Sequence, residues 1–213
     1  MISARVPGGV DLLLLAPVRG LSSEVGPLLA EVDRFRPEAV GLGVSAEELR
    51  GIVEYFVVAD GEPVVPLTTN ERNEVRGLAR FGEVRVPNPS VVEVVRWAHA
   101  RAVALAALDP GEEEAASLFT EHIGYLELVR RTVRERRTGR DPPAPSTPDG
   151  YAIEWERRVA PGRGSRSLAR ARDEHLAEEA RRLGAGRGRV AVVVDRERFD
   201  QVRALLERRP GPA

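Results

Sequence analysis

The sequence predicts an α/β protein with a mainly parallel sheet, flanking helices and a helical insertion before the last strand. Short apolar runs alternate with segments of helical period from the start, and a strand–helix pair both opens and closes the chain. Residues 111–183 have helical patterns without a strand between them. We therefore expect residues 1–213 to form one α/β domain, with a helical insertion at 111–188 that contains a proline-rich connection at 141–150.

Two strands and two helices are predicted near the start. Residues 10–15 are an apolar run typical of a buried strand, and residues 25–35 place apolar side chains at helical spacing. Residues 39–44 predict the second strand, after which Ser45 can cap a helix. Gly43 would let a backbone or a ligand approach this strand closely.

The middle of the chain repeats this alternation less regularly. Asn70 is expected to cap a helix at 71–81, and Pro89 suits the first turn of the next helix. The apolar run at 102–108 ends sharply at Asp-Pro-Gly, which favours a strand over a helix. Two shorter strands are predicted at 64–67 and 83–86.

The second half is predicted to be mostly helical. Residues 111–137 suit one long helix or two abutting helices, and the chain ends in a strand followed by a helix. The remaining predicted elements are helices at about 150–160 and 165–183, the strand at 189–194 and the helix at about 197–208.

Composition excludes several classes of site. The chain has no cysteine, and all of its 32 basic residues are arginine, so thiolate nucleophiles, cysteine metal sites and catalytic lysines are excluded. No apolar run approaches the ~20 residues that span a bilayer, and the first residues lack the apolar segment of a secretion signal. We expect a cytoplasmic protein without membrane contact. The net charge of −1 makes a nucleic-acid partner unfavourable.

Neither a metal nor a cofactor is expected. His99, His122 and His175 fall on three different predicted helices, so no single helix can present two histidines to a metal ion.

Two pairs of residues are candidates for catalysis. Glu121 and His122 place a carboxylate beside an imidazole within a helix, and Arg172 and Asp173 form a charged pair within another. If all four met in one pocket, they could serve a hydrolase. If they lie on separate faces, this hypothesis should be dropped.

Arginines suggest two kinds of binding site. Arg19 follows the first predicted strand, and Arg196 and Arg198 follow the last; ligands of open α/β sheets collect at strand carboxyl ends. We therefore expect these three arginines to bind a small anion. The arginines between 130 and 140 offer an alternative, RNA binding, although no aromatic residues are interleaved with them.

In its layout the chain resembles the TraB/PrgY family, part of the group that includes Tiki-type and ChaN-like proteins. The resemblance lies in residues 12–19, in Arg36-Pro37-Glu38 with the strand at 39–44, and in Arg172-Asp173 with the strand at 190–194. It implies an α/β fold and a site where two histidines and an acid bind metal and support hydrolysis.

This sequence departs from that family at all three site positions. Arg19 stands where the first histidine is expected, Gly43 where the glutamate is expected, and Val194-Asp-Arg-Glu197 replaces the second Gly-x-x-His. Arginine repels a metal cation and glycine offers no ligand. We therefore expect a non-catalytic binding or regulatory module for a small anion or a protein partner, with a homo-oligomer also allowed. A hydrolase with a re-formed site, metal-dependent or metal-independent, and an RNA-binding protein are the alternatives.

Overall fold

Five strands of the chain form a single sheet. The computed structural model describes residues 1–6, 10–58 and 67–208. The strands in these ranges are β1 Ile2–Val6, β2 Asp11–Ala16, β3 Ala39–Leu42, β4 Ala104–Ala107 and β5 Arg189–Val193.

The sheet is mainly parallel, which confirms the predicted fold class. Its strand order is β1-β2-β5-β3-β4. The strands from β2 to β4 run parallel, with Leu14 opposite Val192 and Val40 opposite Ala191. Only the edge strand β1 is antiparallel. All four parallel strands therefore end at the same edge of the sheet.

Helices connect and cover these strands. A π-helical turn at 53–58 follows α2, and 3₁₀ turns occur at 22–24, 79–81 and 196–198. None of the described helices is both long enough and apolar enough to cross a membrane. The α-helices are α1 Val25–Phe35, α2 Ala46–Ile52, α3 Thr69–Leu78, α4 Pro89–Ala100, α5 Glu112–His122, α6 Tyr125–Arg140, α7 Pro148–Val159, α8 Arg163–Gly184 and α9 Phe199–Glu207.

The core lies on both faces of the sheet because side chains alternate along each buried strand. On one face, alternate residues of β2, β3 and β5 pack against α1, α2 and α4. On the other face, the intervening residues pack against α8 and α9. In β5, for example, Ala191 and Val193 belong to the first cluster, and Val190 and Val192 belong to the second.

A third, smaller cluster joins α3 and α7 beyond the end of β2. Tyr151 is fully buried here, stacked on Trp155 at 5.9 Å between ring centroids. Its hydroxyl lies against Gly77 of α3, where an added Cβ would stand 1.8 Å from that oxygen. Gly77 is therefore the residue that lets α3 approach α7.

Several element predictions need correction. Residues 83–86 are not a strand; Val84 forms only an isolated bridge to Leu21. Asn70 does not cap α3, since Thr68 accepts a hydrogen bond from the backbone N–H of Glu71, whose carboxylate bonds back to Thr68. Strand β1 was not predicted. Of the predicted strand at 64–67, residues 64–66 lie outside the described ranges.

The helical half follows the prediction closely. The stretch 111–137 is two helices, because the chain is extended at Ile123 and Gly124 between α5 and α6. Four helices, α5 to α8, lie in the chain between β4 and β5. The proline-rich stretch ends where Thr147 caps α7, with Pro148 as its first residue.

Candidate functional site

A large cleft opens at the edge where the parallel strands end. Its volume is about 750 Å³. Each parallel strand contributes to it through the residues that follow: Arg19 after β2, Gly43 after β3, Asp109 after β4, and Asp195 after β5. Helices α2, α3, α4, α6, α7 and α8 supply most of the remaining walls. This is the position at which open α/β sheets commonly bind ligands.

One side of the cleft is closed by an ion-pair network. Arg198 donates to Asp173 from Nε at 2.7 Å and to Asp109 from Nη2 at 3.0 Å. Arg172 donates to the other oxygen of Asp109. Asp109 and Asp173 are only 8% and 5% exposed, and burial raises the pKa of Asp173 although Arg198 opposes the rise. The network ties β4, α8 and the end of β5 together, and it neutralises both arginines.

Five other carboxylates in the cleft have no such partner. Within the described part of the chain, none of the five forms an ion pair or a side-chain hydrogen bond to another residue. They come from four different parts of the fold: α2, α3, α7 and the turn after β5. They are Glu48, Glu74, Glu156, Asp195 and Glu197.

Arg19 is the cation that these carboxylates surround. Asp195 raises the pKa of Arg19 most, partial loss of water around the guanidinium group opposes the rise, and Glu74, Glu48 and Glu197 add to it. Arg19 forms no ion pair with any described residue and lines the cleft as an exposed side chain. Its charge therefore acts through the local field and balances only part of the surrounding negative charge.

Burial and mutual repulsion shift the pKa values of two carboxyls into the neutral range. Removal from water, followed by the repulsion of Asp195, raises the pKa of Glu197 to about 8. Removal from water also raises the pKa of Glu74 to about 7, against the opposing effect of Arg19. At neutral pH the cleft therefore contains carboxyl groups that can either hold or release a proton.

A second cavity, of about 470 Å³, adjoins the cleft. The two share Arg19, Glu48 and Glu74 in their lining. Elsewhere the second cavity is largely apolar, and it includes two side chains that are exposed, Tyr55 and Val86. The acidic cleft thus passes into an apolar recess.

The residues of the cleft do not fit the metal ion that the family resemblance implies. No group of three or more histidine, aspartate or glutamate side chains converges to hold a metal ion anywhere in the described ranges. Arg19 adds a fixed positive charge among the carboxylates. A divalent ion needs several ligands within about 2.0 to 2.6 Å, and it would have to displace that charge.

The structure separates the three arginines predicted to bind an anion. Arg19 and Arg198 both line the cleft, but Arg198 is occupied by two aspartates. Arg196 is not part of the cleft lining; its Nε donates to Asp149 of α7 at 2.8 Å. Arg196 therefore attaches α7 to the end of β5.

The structure places the four candidate catalytic residues in two separate regions. Arg172 and Asp173 line the cleft, within the ion-pair network. Glu121 and His122 lie at the end of α5 outside the cleft lining, where Glu121 is exposed and the Ser167 hydroxyl is 3.2 Å from Nδ1 of His122. The four side chains do not share one cleft. We therefore reject the hypothesis of a hydrolase that uses all four.

The sequence predictions missed most of the unpaired acids. The chain position of Asp195, directly after a buried strand, was a usable signal. For Glu74 and Glu156 the sequence contained no such signal, because each lies on an ordinary charged helix and reaches the cleft only through the packing of α3 and α7. Gly43 sits where an added Cβ would be 3.3 Å from the carbonyl oxygen of Val193, so it serves close packing with β5.

A scan of the chain against protein-family models matched none, and searches of curated proteins and of solved structures found no similar protein.

Proposed function

We propose that the protein is a binding or regulatory module whose cleft takes a small organic ligand with a positively charged group. The observation that carries this proposal is the set of five unpaired carboxylates that line the cleft. Of the five arginines in the lining, Arg131, Arg172 and Arg198 are already ion-paired, which leaves Arg19 and Arg136. Unpaired acids outnumber unpaired cations.

The raised pKa values also favour a positively charged ligand. A carboxylate whose pKa is raised by burial and by like charges is destabilised in its ionised form. A bound cation would relieve that repulsion, whereas a bound anion would increase it. The small anion expected from the sequence is therefore less favoured by this geometry than an ammonium or guanidinium group.

An organic cation suits the cleft better than a metal ion. The described carboxylates do not converge as metal ligands do, but they can each accept a hydrogen bond from an ammonium group. The neighbouring apolar recess can receive an alkyl or aryl group attached to that ammonium.

A matched set of probes tests the charge preference. We would titrate ¹⁵N-labelled protein with 2-phenylethylamine, 2-phenylethanol and 3-phenylpropionate, which carry a similar ring and differ in charge. We expect the amine to shift the amide signals of residues 48, 74 and 195–198 at the lowest concentration. Stronger binding of the propionate, or equal binding of all three, would refute the proposal.

A pair of variants locates the binding site. Glu74→Gln combined with Glu197→Gln should weaken amine binding at least tenfold, because two charge-assisted hydrogen bonds are replaced by neutral ones. Glu31→Gln, on the surface of α1, is the control and should bind as the wild type does.

We further propose that the chain is a divergent relative of the TraB/PrgY family. Its support is that Arg19, Gly43 and Glu197, the three positions at which the sequence departs from that family's site, all line one cleft although they are far apart in the chain. In this proposal the arginine and its carboxylates replace a metal site, and hydrolysis by a metal ion is lost.

A hydrolase is the second candidate, on different residues from those predicted. Glu74 and Glu197, with pKa values raised to about 7 and about 8, could exchange protons near neutral pH. This candidate predicts turnover of some ester or amide of an amine, abolished by Glu197→Gln. If no member of a panel of such compounds is cleaved, the binding proposal stands alone.

A further inference from the structure

A set of polar residues lines both the cleft and the apolar recess and so forms the junction between the two cavities. The set combines two hydrogen-bond donors, Arg19 and Asn88, with three carboxylates, Glu48, Glu71 and Glu74. The Glu71 carboxylate already accepts hydrogen bonds from the residue that caps α3. Glu48 and Glu74 belong to the unpaired acids, so the junction offers free acceptors.

The two donors at the junction are free as well. Within the described part of the chain, the guanidinium group of Arg19 has neither an ion pair nor a hydrogen bond, and the side chain is exposed. The Oδ1 atom of Asn88 accepts from the backbone N–H groups of Gly20 at 3.4 Å and Ser90 at 3.2 Å. These two bonds identify Nδ2 as the other end of the amide, and no described residue accepts a hydrogen bond from it.

Free donors and free acceptors close together suit a ligand that carries both charges. Partial removal from water raises the pKa values of Glu48 and Glu74, and Arg19 opposes both rises, so its guanidinium group lies near both carboxylates. An α-amino acid holds its ammonium and carboxylate groups on one carbon atom. Both groups can therefore bind within such a short span, through charge-assisted hydrogen bonds.

The recess beyond the junction accepts an apolar group. Past the junction, the only charged side chain in its described lining is Arg85, which is ion-paired with Glu83. At about 470 Å³ the recess has room for an aromatic ring or a branched alkyl chain. Its apolar walls include Ile52, Phe56, Val75, Leu78, Val84 and Pro87.

We infer that the junction binds the ammonium and carboxylate groups of a free α-amino acid, whose apolar side chain enters the recess. Glu48 and Glu74 accept from the ammonium group, and Arg19 and Asn88 donate to the carboxylate. The inference rests on the proposed function, because it places the ammonium group among the same acids. The ligand is neutral overall, so it avoids the repulsion that a simple anion would meet in this cleft.

Arg19 favours a free amino acid over the N-terminus of a peptide. A peptide offers the same ammonium group and the same first side chain, but an amide replaces the carboxylate on that carbon atom. A hydrogen bond from Arg19 to a neutral amide oxygen is weaker than one to a carboxylate. The peptide would therefore leave much of the binding capacity of Arg19 unused.

Three related ligands test the inference. We would titrate ¹⁵N-labelled protein with L-phenylalanine, with 2-phenylethylamine, which is the same molecule without the carboxylate, and with the amide of the dipeptide L-phenylalanyl-L-alanine. HEPES buffer at about pH 7 keeps the amino groups mostly charged and avoids phosphate, which could bind Arg19. We expect L-phenylalanine to bind about tenfold more tightly than either of the others, because its carboxylate adds charge-assisted hydrogen bonds.

Two variants should act in opposite directions on the two smaller ligands. Arg19→Gln should weaken L-phenylalanine binding about tenfold without weakening 2-phenylethylamine, since it removes a cation from beside the ammonium group. Asn88→Asp keeps an oxygen that can cap α4 but puts a carboxylate in place of Nδ2, so it should weaken L-phenylalanine and strengthen 2-phenylethylamine. A variant that merely disrupted the cleft would weaken both ligands. Arg34→Gln, at a 72% exposed site on α1, is the control and should bind both as the wild type does.

The outcomes separate this inference from the proposed function. If 2-phenylethylamine binds at the cleft but L-phenylalanine binds no more tightly, the inference is overturned and the proposed function stands. A preference for L-phenylalanine that persists in Arg19→Gln, or tighter binding of the dipeptide amide than of L-phenylalanine, also overturns it. If none of the three ligands binds, the proposed function fails and the inference fails with it.

Discussion

Replacing Glu197 by glutamine should stabilise the protein, and the gain should grow with pH. The side chain is half-buried in the cleft, and its pKa rises from an ordinary 4.5 to about 8. Glutamine has nearly the same shape as the protonated acid but cannot ionise. The substitution therefore removes the cost of a buried negative charge and keeps the packing.

The sign follows from proton linkage. Between about pH 4.5 and pH 8 the folded protein holds a proton on Glu197 that the unfolded chain has released. Wild-type stability therefore falls as pH rises through this window and levels off above it. At about 1.4 kcal/mol for each unit of pKa, the full rise corresponds to at most about 5 kcal/mol. Because the cleft is open to water, we expect about 2–3 kcal/mol.

Urea denaturation at about pH 5 and about pH 9 measures this effect. The difference in unfolding free energy between Glu197→Gln and wild type should be about 2–3 kcal/mol larger at the higher pH. Glu113→Gln, at an exposed position of α5, is the control and should show no such change. A difference that is constant between the two pH values, or that shrinks at high pH, would show that Glu197 is not a buried acid with a raised pKa.

Three further substitutions test other parts of the structure. Arg198→Met should cost about 3–5 kcal/mol in urea denaturation, because it leaves two buried aspartates without their shared partner; a loss under about 1 kcal/mol would contradict the network. Arg19→Gln should lower stability more at about pH 9 than at about pH 5, since it removes the cation amid several carboxylates; equal losses would refute that role. Gly77→Ala should lower the unfolding free energy by about 1–3 kcal/mol, because the added methyl group displaces the Tyr151 hydroxyl. The control is Gly26→Ala, which has open space around it and should be neutral or stabilising. The same result for both variants would contradict the close packing of α3 on α7.

The strands and helices of the core could be predicted because their signals are local. The apolar run at 189–194 matches β5 at Arg189–Val193 almost residue for residue, and Pro89 does begin α4. Strand β1 was missed because its burial pattern is mixed and its sequence is short, so only pairing with β2 makes it a strand. Residues 83–86 were misread because an alternating pattern shows extended backbone but does not show that a partner strand is present.

The site was harder to predict than the fold. The rule that ligands gather at strand ends predicted that Arg19 and Arg198 lie at this edge of the sheet, and both line the cleft. It could not show that Arg198 is neutralised by two aspartates, one just after β4 and one in α8, or that Glu74 and Glu156 enter the cleft from distant helices. Charge balance in a cleft depends on which helices pack around it, and this tertiary packing cannot be read from local sequence patterns.

Proton release on ligand binding tests the central claim of an acidic cleft most directly. Isothermal titration of 2-phenylethylamine at about pH 7, in two buffers of different ionisation enthalpy that carry no primary ammonium group, such as phosphate and HEPES, separates the binding enthalpy from the heat of proton transfer. A cation bound beside Glu74 and Glu197 lowers their raised pKa values, so at pH 7 we expect a fraction of a proton, up to about one, to be released per amine bound. Binding without proton release at pH 7, or with proton uptake, would contradict the account.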